Sequence, residues 1–159
     1  MKQRILEQIR TTWEAWENAL ECVPPQEAEA PLLSGGWSVR DLVAHILWYE
    51  REILEVVRTQ RFGGSPWWTL PLDERNARIR AAAHHLGYAS LRKTSRQTHA
   101  QLVTLLEALP AQDWLVPFPG MPKEWQPWQV IAENTCAHYP EHTLQVQMLF
   151  PREEDTNEI

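Results

Sequence analysis

Apolar residues recur at intervals of three and four along most of this chain, and almost all of its prolines fall between the periodic segments. This spacing places the apolar side chains on one face of an α-helix. It predicts helices over residues 3–21, 38–60, 73–85, 88–109 and 127–150. No stretch alternates apolar and polar residues between hairpin turns, so no strand is indicated. We therefore predict an all-α protein.

Four of the predicted helices are long, and their connections at residues 22–37, 61–71 and 110–127 are rich in proline and tryptophan. Ser38 followed by Asp41 predicts an N-cap with an acidic partner for the second helix, and we expect Asp73 to cap the segment that runs to His85. Long amphipathic helices of this kind pack as a bundle. We predict one four-helix-bundle domain with long loops over residues 1–150, followed by an acidic tail at residues 151–159.

The charge balance of the 159 residues limits the partners that we expect. The chain has 15 Lys plus Arg and 21 Asp plus Glu, a net charge of −6, so there is no basic footprint for a nucleic acid. No segment approaches the roughly 18 apolar residues of a membrane span, and the charged opening MKQRILEQIR is not a secretory signal. Cys22 and Cys136 form no CxxC pair and are expected to be reduced structural thiols. These features predict a cytoplasmic protein without nucleic-acid or membrane partners.

Three histidines occupy helix positions whose neighbours on the same face are mostly apolar. His138 and His142 lie four residues apart on the last predicted helix, so their side chains share one face, and His45 lies on the inner face of the second helix. Two imidazoles at this spacing can bind one metal ion. If the bundle brings the middle of the last helix beside the first half of the second, the three close a metal site with a fourth position open to water or substrate.

Other interpretations of these histidines remain open at this stage. Each could be an ordinary core side chain with a hydrogen-bond partner. The H-x-x-E-H pattern of His138, Glu141 and His142 matches an inverted zinc-peptidase signature, but the further downstream ligand that this signature requires is lacking. Pro140 removes the helical hydrogen bond to the carbonyl of Cys136. That change either spoils the angle at which the pair binds a metal or frees the carbonyl for a group in the pocket.

Two segments carry a resemblance to a known family. GWSVRDLVAHILWYE, residues 36–50, and ENTCAHYPEHTLQV, residues 133–146, resemble the two signature regions of the DinB-like superfamily, and AHYPEH is most similar to its ClbS/DfsB group, named for self-protection against a bacterial genotoxin. The resemblance implies a four-helix bundle with non-sequential winding, often a homodimer, whose histidine triad binds a divalent ion. It assigns His45, His138 and His142 as the ligands of one metal ion per chain, nickel or zinc.

A divalent ion with an open coordination position can activate water or bind a thiolate. Our first hypothesis is therefore a metal-dependent enzyme that hydrolyses, or adds a thiol to, a small hydrophobic or electrophilic molecule in detoxification or self-protection. Glu141 and Tyr49 are the candidate catalytic residues. The alternatives are a non-catalytic module that binds or sequesters a small molecule, and a metal-free dimeric scaffold. The candidate residues of the substrate pocket are Trp37, Trp48, Ser95, Thr98 and His99.

Overall fold

The computed structural model describes residues 1–152, and within that range it consists of six α-helices and their connecting loops, with no β-strand. The prediction of an all-α protein is confirmed. None of the described helices is long and apolar enough to cross a membrane. Most of the predicted acidic tail, residues 153–159, lies outside the described range. The helices are α1 (Lys2–Glu21), α2 (Val39–Thr59), α3 (Leu72–Ala83), α4 (Tyr88–Ala108), α5 (Pro127–Glu133) and α6 (Tyr139–Leu149).

The long helices follow one another around the bundle in the order α1, α4, α2 and α6, because α1 and α2 each pack against both α4 and α6. Consecutive helices α1 and α2 therefore lie diagonally across the bundle. This is the non-sequential winding that the resemblance implied. It brings α2 into contact with α6, while α3 packs against α2 and α5 packs against α1.

One cluster of buried apolar side chains fills the space between the helices. Aromatic side chains such as Trp16 and Trp114 are completely buried in it, and side chains of this size contribute heavily to core stability. The same core covers Leu47 and Val57, which lie outside the face of α2 that carries His45. Other large members of the core are Ile9, Leu20, Ile46, Ile53, Leu91, Leu102, Leu106 and Ile131.

The capping box that the sequence predicts fixes the start of α2. The Ser38 hydroxyl oxygen accepts a hydrogen bond from the backbone N–H of Asp41 (3.2 Å), and the Asp41 carboxylate accepts one from the backbone N–H of Ser38 (3.1 Å). The same carboxylate pairs with Arg40 and with Arg80 of α3, at 2.7 and 3.0 Å. The ion pair with Arg80 ties α3 to the first turn of α2.

The start of α3 corrects the sequence prediction. The sequence predicts Asp73 as the cap, but Pro71 occupies the N-cap position and the helix begins at Leu72. Proline holds a fixed φ that suits the entry to a helix, here −51° with a ψ of 147°. Asp73 therefore falls in the first turn, where its carboxylate still interacts favourably with the helix dipole.

The last predicted helix is interrupted, which is a second correction. α5 and α6 are separated by an irregular turn at residues 134–138. Pro140 cannot donate a hydrogen bond to the carbonyl of Cys136 and also crowds it, which disfavours a continuous helix by about 3 kcal/mol. The side chains of Asn134 and Thr135 donate to carbonyls of the last turn of α5, at 2.8 and 2.6 Å. The Thr135 hydroxyl satisfies the Ile131 carbonyl, because the backbone N–H of Thr135 bonds to Ala132 instead, and the Asn134 side chain adds a second donor to the Val130 carbonyl.

Candidate metal centre

Three histidines meet where α2 packs against the start of α6. His45 lies in the first half of α2, His138 is the last residue of the irregular turn, and His142 lies in α6. The Nε2 atom of His138 is 2.9 Å from that of His45 and 3.0 Å from that of His142. The ligating nitrogens of the three all lie within 4.8 Å of one another. His138 and His142 therefore still converge with His45, although the helix is interrupted before α6.

The buried environment favours the neutral form of all three rings. Desolvation, together with the neighbouring His138 and His142, lowers the pKa of His45 from 6.5 to about 2. Desolvation and the neighbouring His142 lower the pKa of His138 from 6.5 to about 3, and desolvation also lowers the pKa of His142. A neutral imidazole has the lone pair that a metal ligand needs. The site is therefore ready to bind a metal at physiological pH without first releasing protons.

This donor set fits a divalent transition-metal ion. A neutral imidazole carries a hydrogen on only one ring nitrogen, so hydrogen bonds cannot satisfy three Nε2 atoms that all face one another. A cation among them can accept all three lone pairs. Nitrogens that share a tetrahedral zinc ion at about 2.0–2.1 Å are about 3.3 Å apart, close to the separations seen here. Three imidazoles suit zinc and nickel, but also copper and iron.

The three rings are held in place by different means. The Nδ1 atom of His142 is 2.7 Å from Oε1 of Gln145, which assigns the ring hydrogen to Nδ1 and leaves Nε2 free for a metal. The Nδ1 atoms of His45 and His138 are buried and have no hydrogen-bond partner within residues 1–152. Tyr49 packs against both of these rings, with centroid distances of 4.8 Å. The orientation of His45 and His138 therefore depends on packing and on the backbone that carries them.

The histidines form part of the wall of a cavity of about 950 Å³. The other walls come from α3, from the loop around Trp37 and from the segment 133–145. Trp37 lies beside His45, with a distance of 5.8 Å between ring centroids, and supplies a large apolar surface. Cavities of this volume accommodate small organic ligands. The predicted metal ligands and the predicted pocket residue Trp37 thus share one cavity.

Four predicted pocket residues lie away from this cavity, namely Trp48, Ser95, Thr98 and His99. Trp48 packs against Trp67 and Trp68, with ring centroids 6.1 and 5.1 Å apart. The polar stripe of α4 is buried inside the bundle, because α4 packs against α1 and α2, whereas the cavity lies among α2, α3 and α6. Periodicity identified the buried face of α4, but it did not identify the helices that this face touches.

The two candidate catalytic residues both line the cavity. The Tyr49 hydroxyl oxygen accepts a hydrogen bond from Nε of Arg75 on α3 (3.1 Å), so its own hydrogen remains available to a ligand. The Arg75 guanidinium lies over the Trp68 ring, 4.8 Å from its centroid. Glu141 is exposed and precedes the ligand His142 directly in α6. Tyr49 is thus a positioned donor, and Glu141 is a carboxylate in contact with solvent.

Sequence reasoning missed the polar group behind the metal ligands. Glu50 is completely buried, and its Oε1 atom is 2.6 Å from the hydroxyl of Tyr139 and 2.8 Å from Nδ1 of His99. The sequence did contain a signal for Glu50, because it lies in a stripe of α2 that is otherwise apolar and a buried carboxylate needs partners. The apolar members of that stripe are Val43, Ile46, Ile53 and Val57. Nothing in the sequence pattern singled out Arg75 or Gln145.

Comparison of the sequence with known families gives one match. The model of the mycothiol maleylpyruvate isomerase N-terminal domain matches residues 9–136. This range includes His45 and ends just before His138 and His142. No curated protein sequence matches the chain.

Solved structures with the same helical bundle cover nearly the whole chain. Colibactin self-resistance protein ClbS, in complex with a dsDNA, has a TM-score of 0.77 at 22% identity and covers 93% of this chain and 94% of its own. The sibling lethal factor precursor DfsB has a TM-score of 0.80 at 13% identity, with coverage of 99% and 98%. An uncharacterised protein from Escherichia coli UTI89 has a TM-score of 0.76 at 16% identity, with coverage of 98% and 95%.

These likenesses confirm the DinB-like helical bundle and the resemblance to ClbS and DfsB. At such identities they establish the fold alone. The DNA is bound to ClbS, a distant relative, and it conflicts with the expectation that this chain has no nucleic-acid partner. Only the net charge of −6 now supports that expectation.

Proposed function

The chain belongs to the mycothiol maleylpyruvate isomerase N-terminal domain family, and from this premise we propose that it is a metal-dependent enzyme acting on a small hydrophobic or electrophilic molecule in detoxification or self-protection. The observation that carries the proposal is the convergence of three histidine Nε2 atoms on the wall of a cavity. Within residues 1–152, no fourth metal-ligating side chain joins this group. Catalytic sites commonly have three protein ligands and one open position, whereas structural zinc sites are closed by four.

His45, His138 and His142 would hold the ion, with nickel or zinc as the expected metals. When bound, such an ion supplies Lewis acidity, which activates water or a thiol and polarises a substrate oxygen. The chain itself provides the neutral donors and shields them from solvent, since His45 and His142 are buried.

The cavity residues supply contacts for the substrate. The free hydrogen of the Tyr49 hydroxyl can be donated to a substrate oxygen, and Arg75 fixes the position of that hydroxyl. The Glu141 carboxylate can accept a proton from the attacking group. Trp37 offers a flat apolar surface to a hydrophobic substrate. Neither Cys22 nor Cys136 lines the cavity, so an attacking thiol must come from a separate small molecule.

The comparisons favour two related reactions. The name of the family includes mycothiol, a low-molecular-weight thiol, which supports addition of a thiol. ClbS is a self-resistance protein against colibactin, which supports chemical inactivation of a toxic molecule. The cavity of about 950 Å³ is large enough for a small substrate together with part of a thiol. We therefore propose hydrolysis or thiol addition, with the reaction decided by which nucleophile enters the cavity.

The experiment uses protein purified without an affinity tag and loaded with zinc or nickel. It is incubated with a panel of activated esters and strained electrophiles, with and without a low-molecular-weight thiol, and products are quantified by mass spectrometry. His138→Ala and the exposed-site control His85→Ala are compared with the wild type. We expect many products per chain from the wild type and the control, and none above background from His138→Ala.

A yield that stops at one product per chain would contradict turnover and favour the sequestration module instead. Equal turnover in His138→Ala and the wild type would contradict a role for the metal centre. Product that depends on the added thiol distinguishes thiol addition from hydrolysis. The homodimer that the resemblance implies is tested separately by sedimentation at micromolar concentration.

A further inference from the structure

A buried polar cluster adjoins the metal centre through Tyr139, and its residues do not line the cavity. Glu50 of α2 is 0% exposed, and its Oε1 atom accepts a hydrogen bond from the Tyr139 hydroxyl at 2.6 Å. The same oxygen is 2.8 Å from Nδ1 of His99 on α4. The indole of Trp13 stacks on the His99 ring, with centroids 3.9 Å apart and planes 5° from parallel. The cluster therefore joins α1, α2 and α4 to the first residue of α6.

A contribution to stability alone does not explain why a carboxylate is buried in this cluster. Removing a carboxylate from water is unfavourable, and apolar side chains of similar volume often stabilise a core at least as well. The second oxygen of Glu50, Oε2, is buried and has no hydrogen-bond partner within residues 1–152. A hydrogen bond donated to a buried carboxylate, however, fixes the position and direction of the donor. The cluster is therefore better explained by what it positions than by what it stabilises.

The metal ligand next to the cluster is the one with the weakest support. His45 is carried by the regular helix α2, and His142 lies in α6 with its Nδ1 atom paired to Gln145. His138 follows an irregular turn, and its Nδ1 atom is buried without a hydrogen-bond partner in the described part of the chain. Tyr139 is its immediate neighbour in the sequence. The bond from Tyr139 to Glu50 therefore anchors the backbone at the residue that follows His138.

We propose that Glu50 is a positioning residue of the metal centre, which acts through the Tyr139 hydroxyl to fix His138 at the distance where its Nε2 atom meets that of His45. The inference rests on the proposed metal centre and extends it to residues that do not line the cavity. His99 contacts the same Glu50 oxygen as Tyr139, and the Trp13 indole stacks on the His99 ring. Metal ligands are commonly oriented by partners beyond the ligands themselves, and loss of such a partner typically weakens metal binding by about 10–100-fold.

The test measures zinc affinity by competition with a chromophoric chelator, together with the visible absorption spectrum of the cobalt-loaded protein. Tyr139→Phe removes only the hydroxyl. Tyr88→Phe is the matched control, because Tyr88 is also the first residue of a helix and its hydroxyl also takes part in a hydrogen bond, but with Arg92 and not with Glu50. Glu50→Gln keeps an oxygen that can accept from Tyr139, and Glu50→Leu removes it. Urea unfolding of each metal-free variant reports its stability separately.

We expect Tyr139→Phe and Glu50→Leu to weaken zinc binding by about 10–100-fold and to alter the cobalt spectrum, while Tyr88→Phe and Glu50→Gln stay within about threefold of the wild type. A merely structural cluster would lower the stability of the metal-free protein and leave zinc affinity unchanged, and that result would overturn the inference. Equal losses in Glu50→Gln and Glu50→Leu would also overturn it, because the hydrogen bond would then not be the cause. Failure of the wild type itself to bind zinc would instead overturn the metal centre.

Discussion

The buried histidines make the metal-free protein sensitive to acid in a way that can be calculated. His45 and His138 have pKa values of about 2 and about 3 in the folded chain, because of burial first and their neighbouring histidines second, against 6.5 for a histidine exposed to water. Below pH 6.5 these two histidines therefore bind protons in the unfolded chain but stay neutral in the folded chain. Stability falls as the pH is lowered from 6.5 towards these folded pKa values.

The size of the effect at a given pH follows from how far that pH lies below the unfolded pKa of 6.5, as long as it stays above the folded pKa values. At pH 5.0 each unfolded histidine gains about 2 kcal/mol from protonation, and at pH 7.5 it gains almost nothing. His45 and His138 together are thus expected to reduce the free energy of unfolding by about 4 kcal/mol between pH 7.5 and 5.0. The lowered pKa of His142 acts in the same direction.

The assay is urea unfolding at both pH values in the presence of a chelator, followed by tryptophan fluorescence. Other groups also titrate over this range, so the comparison is between variants. His138→Asn is expected to lose about 2 kcal/mol less than the wild type on acidification, whereas the exposed-site control His85→Asn should lose as much as the wild type. If wild type and His138→Asn lose the same free energy to within about 0.5 kcal/mol, His138 is not held in the neutral form in the folded chain and the reasoning is refuted.

Zinc at a hundredfold excess over its dissociation constant is expected to raise the free energy of unfolding of the wild type by about 2.7 kcal/mol, measured by urea denaturation; the same shift in His142→Ala would contradict the site. Gly120→Ala is expected to lower stability by about 1–3 kcal/mol, because Gly120 has a φ of 93° and an added Cβ would lie 2.5 Å from the carbonyl oxygen of Phe62. Gly63→Ala has open space around it and is the control, and equal effects of the two would show that the close approach does not matter. Arg75→Met is expected to slow turnover of the best electrophile by about tenfold without loss of bound metal, because Tyr49 loses its hydrogen bond; loss of metal would assign Arg75 a different role.

The helices could be predicted because their signals are local. The periodicity of α1, α2 and α4 and the capping pair Ser38 and Asp41 depend on residues a few positions apart, and they matched the structure. The interruption around residues 134–138 had a visible cause in Pro140, but its extent depends on how Asn134 and Thr135 satisfy the end of α5. A sequence pattern shows that a proline disturbs a helix, but not which bonds replace the lost one.

The site was only partly predictable, because it depends on which helix faces meet. The histidines could be selected from their positions in apolar stripes, and their convergence follows from the contact of α2 with α6. The structure places Ser95, Thr98 and His99 away from the cavity, and the sequence could not show this because a buried polar stripe on α4 can face either a ligand or another helix. His99 faces Glu50, a contact between residues 49 positions apart. Periodicity within each helix carries no information about such a pairing.

Metal content is the measurement that tests the central claim most directly. Untagged protein, reloaded with zinc or nickel and freed of excess metal, is analysed by inductively coupled plasma mass spectrometry beside His45→Ala, His138→Ala and His142→Ala. We expect about one equivalent of divalent metal per chain in the wild type and little in any of the three variants. Less than about a tenth of an equivalent in the reloaded wild type, or equal content in the variants, would contradict a metal centre built on these histidines.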